Sequence, residues 1–131
     1  MKTILVDAVN CFIVRDNSEF KIFSDMYEML EQFPNKKIVL TEANDSQMKQ
    51  YGLDNLPYEF FTLKHDPEKT NPEYYRNLLA KYSLENNDVI YFEHNVNAVT
   101  SAKSIGINTY HYDNEKRDLK ELKNFLNINL I

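Results

Sequence analysis

Four polar positions at successive strand ends carry the residue types of phosphate chemistry. Asp7 follows Ile4-Leu5-Val6. A carboxylate at the end of a buried strand acts as a nucleophile when its partners supply positive charge, and otherwise caps the next turn. Thr41 closes Ile38-Val39-Leu40; its hydroxyl suits a phosphate oxygen or a helix entry. A lysine beside the nucleophile, Lys64 or Lys69, would offset the charge of an aspartate facing a phosphate, although any one lysine in a polar loop is more often solvated. Glu93-His94 follows Val89-Ile90-Tyr91-Phe92. A carboxylate there can ligate Mg²⁺ opposite Asp7, because Mg²⁺ takes one or two carboxylates and completes its shell with water and phosphate oxygens. Capping of the following helix is the plainer role for the pair. Acid, hydroxyl, lysine and acid in that order on one sheet edge point to phosphoryl chemistry more firmly than any member does by itself.

Those positions need strands that end together. The spacing predicts strands at Thr3 to Val9, Lys37 to Thr41, Tyr58 to Leu63, Asp88 to Phe92 and Asn108 to Tyr112. Between them lie amphipathic stretches. Ser24 to Phe33 carries Met26, Met29, Leu30 and Phe33 on one stripe, with Ser24 as N-cap. Asn44 or Asp45 caps a short helix that stops near Gly52. Pro72 opens a helix running to about Tyr82. Asn95 caps one that ends at Gly106. Asn114 opens the last, with Leu119, Leu122, Phe125 and Leu126 as its stripe. Strands alternating with helices of this length predict a parallel sheet covered on both faces, an α/β three-layer sandwich. In such sheets the functional groups gather at the C-terminal strand ends. Cys11 to Phe23 alternates like a hairpin around Arg15-Asp16-Asn17-Ser18, placed to hang over the same ends.

The bulk properties narrow the class. A chain of 131 residues, 43% hydrophobic, 13% aromatic and 27% charged, is the size of one domain with a sizeable core. No linker or repeat divides it, so one domain, 1–131, is expected. A net charge of −5 and a pI near 5.2 argue against docking on nucleic-acid backbones or anionic membranes. Cys11 stands alone, so an internal disulfide and a zinc site built from cysteines are excluded, which fits a reducing compartment. The apolar run before Asp7 is too short for a signal-peptide core or a membrane span. A cytoplasmic protein is the expectation.

Asn71-Pro72-Glu73-Tyr74-Tyr75-Arg76, Asp88 through Asn95, then Ala98, Ala102, Gly106 and Ile107 together resemble the C-terminal half of haloacid dehalogenase-like (HAD) phosphatases. Lys69-Thr70-Asn71-Pro72 is similar to that family's lysine before a Pro-Asp-Pro-type helix start, so Lys69 takes the lysine role better than Lys64. The resemblance implies a five-stranded parallel sheet of order 5-4-1-2-3. It maps the first motif on Asp7, the second on Thr41 and the fourth on Glu93 and His94. It also implies Asp7 as nucleophile, Lys69 as charge neutraliser and Thr41 as phosphate holder, with Mg²⁺ held by Asp7, Glu93 and the carbonyl of Val9.

The sequence departs from the family in ways that matter. Val9 stands where family phosphatases carry the aspartate that acts as general acid and base, and Cys11 where a threonine usually follows. Glu93-His94 replaces two acidic residues. His94, titrating near neutrality, is placed to supply the missing proton transfer. Asp7-Ala8 resembles the halogen-removing branch only in its first two residues, and the stretch of about thirty residues between Asp7 and Thr41 has no room for the helical cap such enzymes need. Two readings stay open: a capless Mg²⁺-dependent phosphatase-like hydrolase, and a non-catalytic scaffold that binds phosphate, metal or protein. A dehalogenase is the weaker third. The open site suits a phosphorylated substrate, small or macromolecular, and leaves room for a neighbouring subunit in an oligomer.

Overall fold

Parity along β1 (Thr3–Asp7) sets the architecture, because successive side chains leave a strand on opposite faces. Ile4 and Val6 enter one apolar cluster and Leu5 the other. The computed structural model describes residues 1–130. In it β1 lies at the centre of a parallel sheet. On one side it pairs with β4 (Lys37–Leu40), which pairs with β5 (Glu59–Phe61); on the other it pairs with β6 (Val89–Glu93), which pairs with β7 (Asn108–His111). The order β5-β4-β1-β6-β7 is the expected one, read from the opposite edge. All residues of β1, β4 and β6 are buried and most are apolar, as strands covered on both faces must be.

Helices form the outer layers. Met26, Met29 and Leu30 of α1 (Ser24–Leu30), Met48 of α2 (Asp45–Gln50), and Leu122 and Leu126 of α5 (Leu119–Asn129) pack on the face of Ile4, Val6, Val39, Ile90 and Phe92. Tyr74, Tyr75 and Leu78 of α3 (Glu73–Lys81), with Ala102 of α4 (Val96–Ser104), cover Leu5, Ile38, Leu40, Val89 and Tyr91. Burial of each such side chain contributes about 1.5–3 kcal/mol. Among the described residues no helix is long and apolar enough to cross a membrane.

The hairpin forms as β2 (Ile13–Asp16) and β3 (Glu19–Ile22), with Asn17 in the left-handed region at its tip. Several boundaries differ from the sequence pattern, each for a local reason. β1 stops at Asp7 and not Val9, because the chain turns at once. Cys11 N–H bonds to the Ala8 carbonyl, Phe12 N–H to the Asp7 carbonyl, and Asn10 takes φ 74°. Ser24 does not cap α1. Phe23 holds that position without a side-chain bond, and the helix ends at Leu30, although Phe33 still packs on the core. β4 ends at Leu40, with Thr41 one residue beyond. Asn114 does not open α5. Asp113 caps a separate turn there through Glu115 N–H and Lys116 N–H, Arg117 at φ 51° breaks the spiral, and Asp118 caps the helix through Glu121 N–H. Gly106 does end α4. At φ 87° it turns the chain out, and a Cβ there would meet Asn86 Nδ2 at 2.5 Å.

Candidate active site

Strand parity delivers the two acids to one place. Asp7 extends the Leu5 face of β1 and Glu93 the Tyr91 face of β6, both toward the layer of α3. The loop that enters α3 carries Lys69. Its Nζ lies 2.7 Å from Asp7 Oδ1 and 2.9 Å from Glu93 Oε1, with all three side chains buried. A buried ammonium bridging two carboxylates satisfies charges that would otherwise be very costly to desolvate.

The remaining carboxylate oxygens are also engaged. Asp7 Oδ2 accepts from His94 N–H at 3.2 Å and from the Cys11 thiol at 3.2 Å, and it touches His94 Nδ1. Glu93 accepts from the Tyr91 hydroxyl at 2.5 Å and from Asn95 N–H at 3.0 Å, and its Oε2 lies 3.2 Å from His94 Nδ1.

A cleft of about 170 Å³ opens over these groups. Asp7, Val9, Thr41, Lys69, Glu93 and His94 all line it, so the six positions singled out from the sequence meet in space. Lys64 does not: it is exposed, and its Nζ pairs with Asp45 at 3.1 Å. Of the two lysines, Lys69 is the one that stands at Asp7. Thr41 is buried at the end of β4, and its Oγ1 accepts Ala43 N–H at 3.2 Å. The hydroxyl proton is left to donate toward the cleft. Val9, half-buried, presents an alkyl side chain that moves no proton.

Sequence reasoning missed the rim. Gln47 and Tyr51 reach the cleft from α2 and the residue after it, and Glu42, His65, Asn10 and Asn95 from loops. Only Asn10 left a hint, as a residue type that tolerates the left-handed region. The support of Glu93 by Tyr91 was legible in principle, since residues two apart in a strand share a face.

Electrostatics follow burial and pairing. Burial, reinforced by the charge of Glu93, raises the Asp7 carboxyl above its ordinary range, against the pull of Lys69 and His94. Burial works the same way on Glu93, but Lys69 and the hydrogen bonds from His94 and Tyr91 outweigh it and hold that carboxyl well below the usual range. Burial also disfavours charged Lys69, yet Asp7 and Glu93 keep it protonated. Hydrogen bonds to Asp7 and then Glu93 push His94 up to about 10. At neutral pH the imidazole is therefore a cation beside Asp7. Chemically, the cleft joins two buried carboxylates with two cations and a hydroxyl donor, and the cations and the hydroxyl are the parts that attract and polarise an oxyanion. The carboxylates of Asp7 and Glu93 and the main-chain carbonyl of Val9 are hard oxygen donors of the type that Mg²⁺ takes, so the donor set fits that ion.

No family model matches the sequence, and no curated protein matches it. Solved structures do match the backbone. The chain is similar to a protein from Listeria monocytogenes serotype 4b, with TM-score 0.75 and 12% identity over 98% of each chain. It is similar to a HAD family enzyme from Bacteroides thetaiotaomicron solved in complex with magnesium and inorganic phosphate, with TM-score 0.72 and 12% identity over 93% of this chain and 98% of that one. It is also similar to a HAD-superfamily hydrolase from Geobacter sulfurreducens, with TM-score 0.64 and 12% identity over 94% of this chain and 96% of that one. Likeness at such identity speaks for the path of the backbone, and by that measure the chain has the haloacid dehalogenase-like fold.

Proposed function

We propose that the protein is a capless HAD-like hydrolase that transfers a phosphoryl group to Asp7 with the help of Mg²⁺. The observation that carries this reading is the buried bridge of Lys69 between Asp7 and Glu93, at the floor of a cleft that Thr41 also lines. Asp7, Glu93 and the Val9 carbonyl would hold the ion, which supplies charge stabilisation for a phosphate when bound.

The chain's own residues do the rest. Lys69 and the Thr41 hydroxyl orient the phosphate, and an oxygen of Asp7 attacks phosphorus. The bond to the leaving oxygen breaks, and a proton from His94 neutralises that oxygen, since Val9 has none to give. Water then hydrolyses the aspartyl phosphate, with neutral His94 accepting its proton. Between β1 and β4 the chain builds only the β2–β3 hairpin and α1, so the cleft stays open. That openness suits a phosphorylated substrate, small or macromolecular, with an oligomeric neighbour as one way to cover it. A cytoplasmic setting agrees with the single, reduced cysteine.

The test is hydrolysis of a generic aryl phosphate with Mg²⁺. Asp7→Asn should abolish turnover, and wild-type rates in that variant would remove Asp7 from the mechanism.

One observation favours a second reading, a non-catalytic phosphate- or metal-binding scaffold. Both oxygens of Asp7 are already occupied by Lys69, His94 and Cys11. Calorimetry with Mg²⁺ and inorganic phosphate separates the readings from a vestigial site: no heat at millimolar ligand counts against both.

A further inference from the structure

Cys11 has no part in the reaction above, yet it is buried against the nucleophile. The turn that follows β1 aims its Sγ at Asp7 Oδ2, 3.2 Å away. The same sulfur lies 4.0 Å from His94 Nδ1, which touches Asp7 Oδ2 and stands 3.2 Å from Glu93 Oε2. Sulfur, imidazole nitrogen and carboxylate oxygen thus lie within 4.8 Å of one another.

These spacings suit a small tetrahedral ion. Zinc bonds of about 2.0–2.3 Å place neighbouring ligand atoms roughly 3.3–3.5 Å apart. The sulfur–oxygen and sulfur–nitrogen distances bracket that spacing. The close nitrogen–oxygen contact would open when an ion replaces the proton it shares. We propose that Asp7, Cys11 and His94 form a three-ligand site for a thiophilic divalent transition ion of the Zn²⁺ class, with water in the fourth position.

The donor chemistry discriminates against Mg²⁺, which takes oxygen ligands in octahedral array and gains little from sulfur or imidazole. Thiolate and imidazole favour Zn²⁺ and Co²⁺. Uptake releases the Cys11 thiol proton and the His94 Nδ1 proton to solvent, which leaves thiolate and neutral imidazole as ligands. The other ring nitrogen has a neighbour able to hold it. Asn10 Nδ2 lies 3.5 Å from His94 Nε2, and a turned amide presents its oxygen to the Nε2 proton. The ion takes Asp7 Oδ2, so it competes with phosphoryl transfer. That consequence rests on the proposed function, whereas the binding itself does not.

Co²⁺ titration of the full chain, reduced and stripped of metal, tests the site. Cys11 is the only cysteine, so a thiolate-to-cobalt charge-transfer band can have no other source. The expected result is such a band saturating at one equivalent, displaced by Zn²⁺, lost in Cys11→Ser and reached only at higher Co²⁺ in His94→Ala. Saturating Co²⁺ that leaves the wild-type spectrum without the band overturns the site, whatever the variants do. Aryl phosphate hydrolysis with Mg²⁺ is measured separately. Hydrolysis without the band sinks the transition-ion site alone, and the band without hydrolysis sinks the phosphatase reading alone.

Discussion

Val9 and His94 face the same cleft and divide its chemistry unevenly. Val9 brings an inert side chain, whereas His94 holds an exchangeable proton beside Asp7. If a proton donor at residue 9 is the one missing part of the proposed mechanism, Val9→Asp should raise aryl phosphate hydrolysis by about 10²-fold or more, because Asp7, Thr41 and Lys69 would then supply nucleophile and charge. The substitution also takes a half-buried alkyl group from the core edge and must find its carboxylate a donor. A melting curve therefore accompanies the rate. A folded Val9→Asp protein with no gain in rate would mean that the site has departed from phosphoryl transfer by more than this residue, and would favour the scaffold.

At the scale of elements, α2 is short for its duties. It spans Asp45–Gln50, buries only Met48, and yet carries Gln47 into the cleft. Six residues cannot hold a helix by propensity, so its ends and its packing must do so. Asn44 accepts Gln47 N–H at 2.9 Å, and Gln47 Oε1 accepts Asn44 N–H at 3.0 Å, a reciprocal capping box. Gln47 Oε1 also bonds His65 Nε2 at 2.6 Å, which ties the loop before Lys69 to the helix. Asn44→Ala should cost about 1 kcal/mol, read as a melting temperature lower by a few degrees. An unchanged melting temperature would mean that packing of Met48 alone holds α2.

For the molecule as a whole, the charge cluster at the sheet edge ties stability to pH. His94 in the fold titrates near 10, above the ordinary histidine value of 6.5, because of its bonds to Asp7 and Glu93. Its contribution is fully present below pH 6.5 and is lost as pH rises toward 10. Glu93, held low, acts at the other end: its contribution is present above the ordinary carboxylate range and is lost in acid. Melting temperatures of the metal-free protein should therefore fall between pH 6.5 and about 10. The fall should be shallower in His94→Asn. Parallel wild-type and variant curves over that window would disprove the coupling.

Much of this was readable before any fold was known. Hydrophobic runs punctuated by caps determined five strands, their helices and a doubly covered parallel sheet, because period and burial are local properties. The ends were less legible: Ser24 and Asn114 look like caps, but the residue that caps is decided by where the backbone leaves the spiral, as Phe23 and Asp118 show. Asp7, Thr41, Glu93 and His94 were found at strand ends by position, whereas Val9, and Lys69 in preference to Lys64, came from the resemblance to HAD phosphatases. Only the tertiary structure decided that Lys69 Nζ bridges two acids and that Cys11 and His94 meet on one oxygen of Asp7. Those contacts join residues from four to 87 positions apart. Such distances depend on strand order, parity and the turn after β1 together, and no stretch of sequence contains all three.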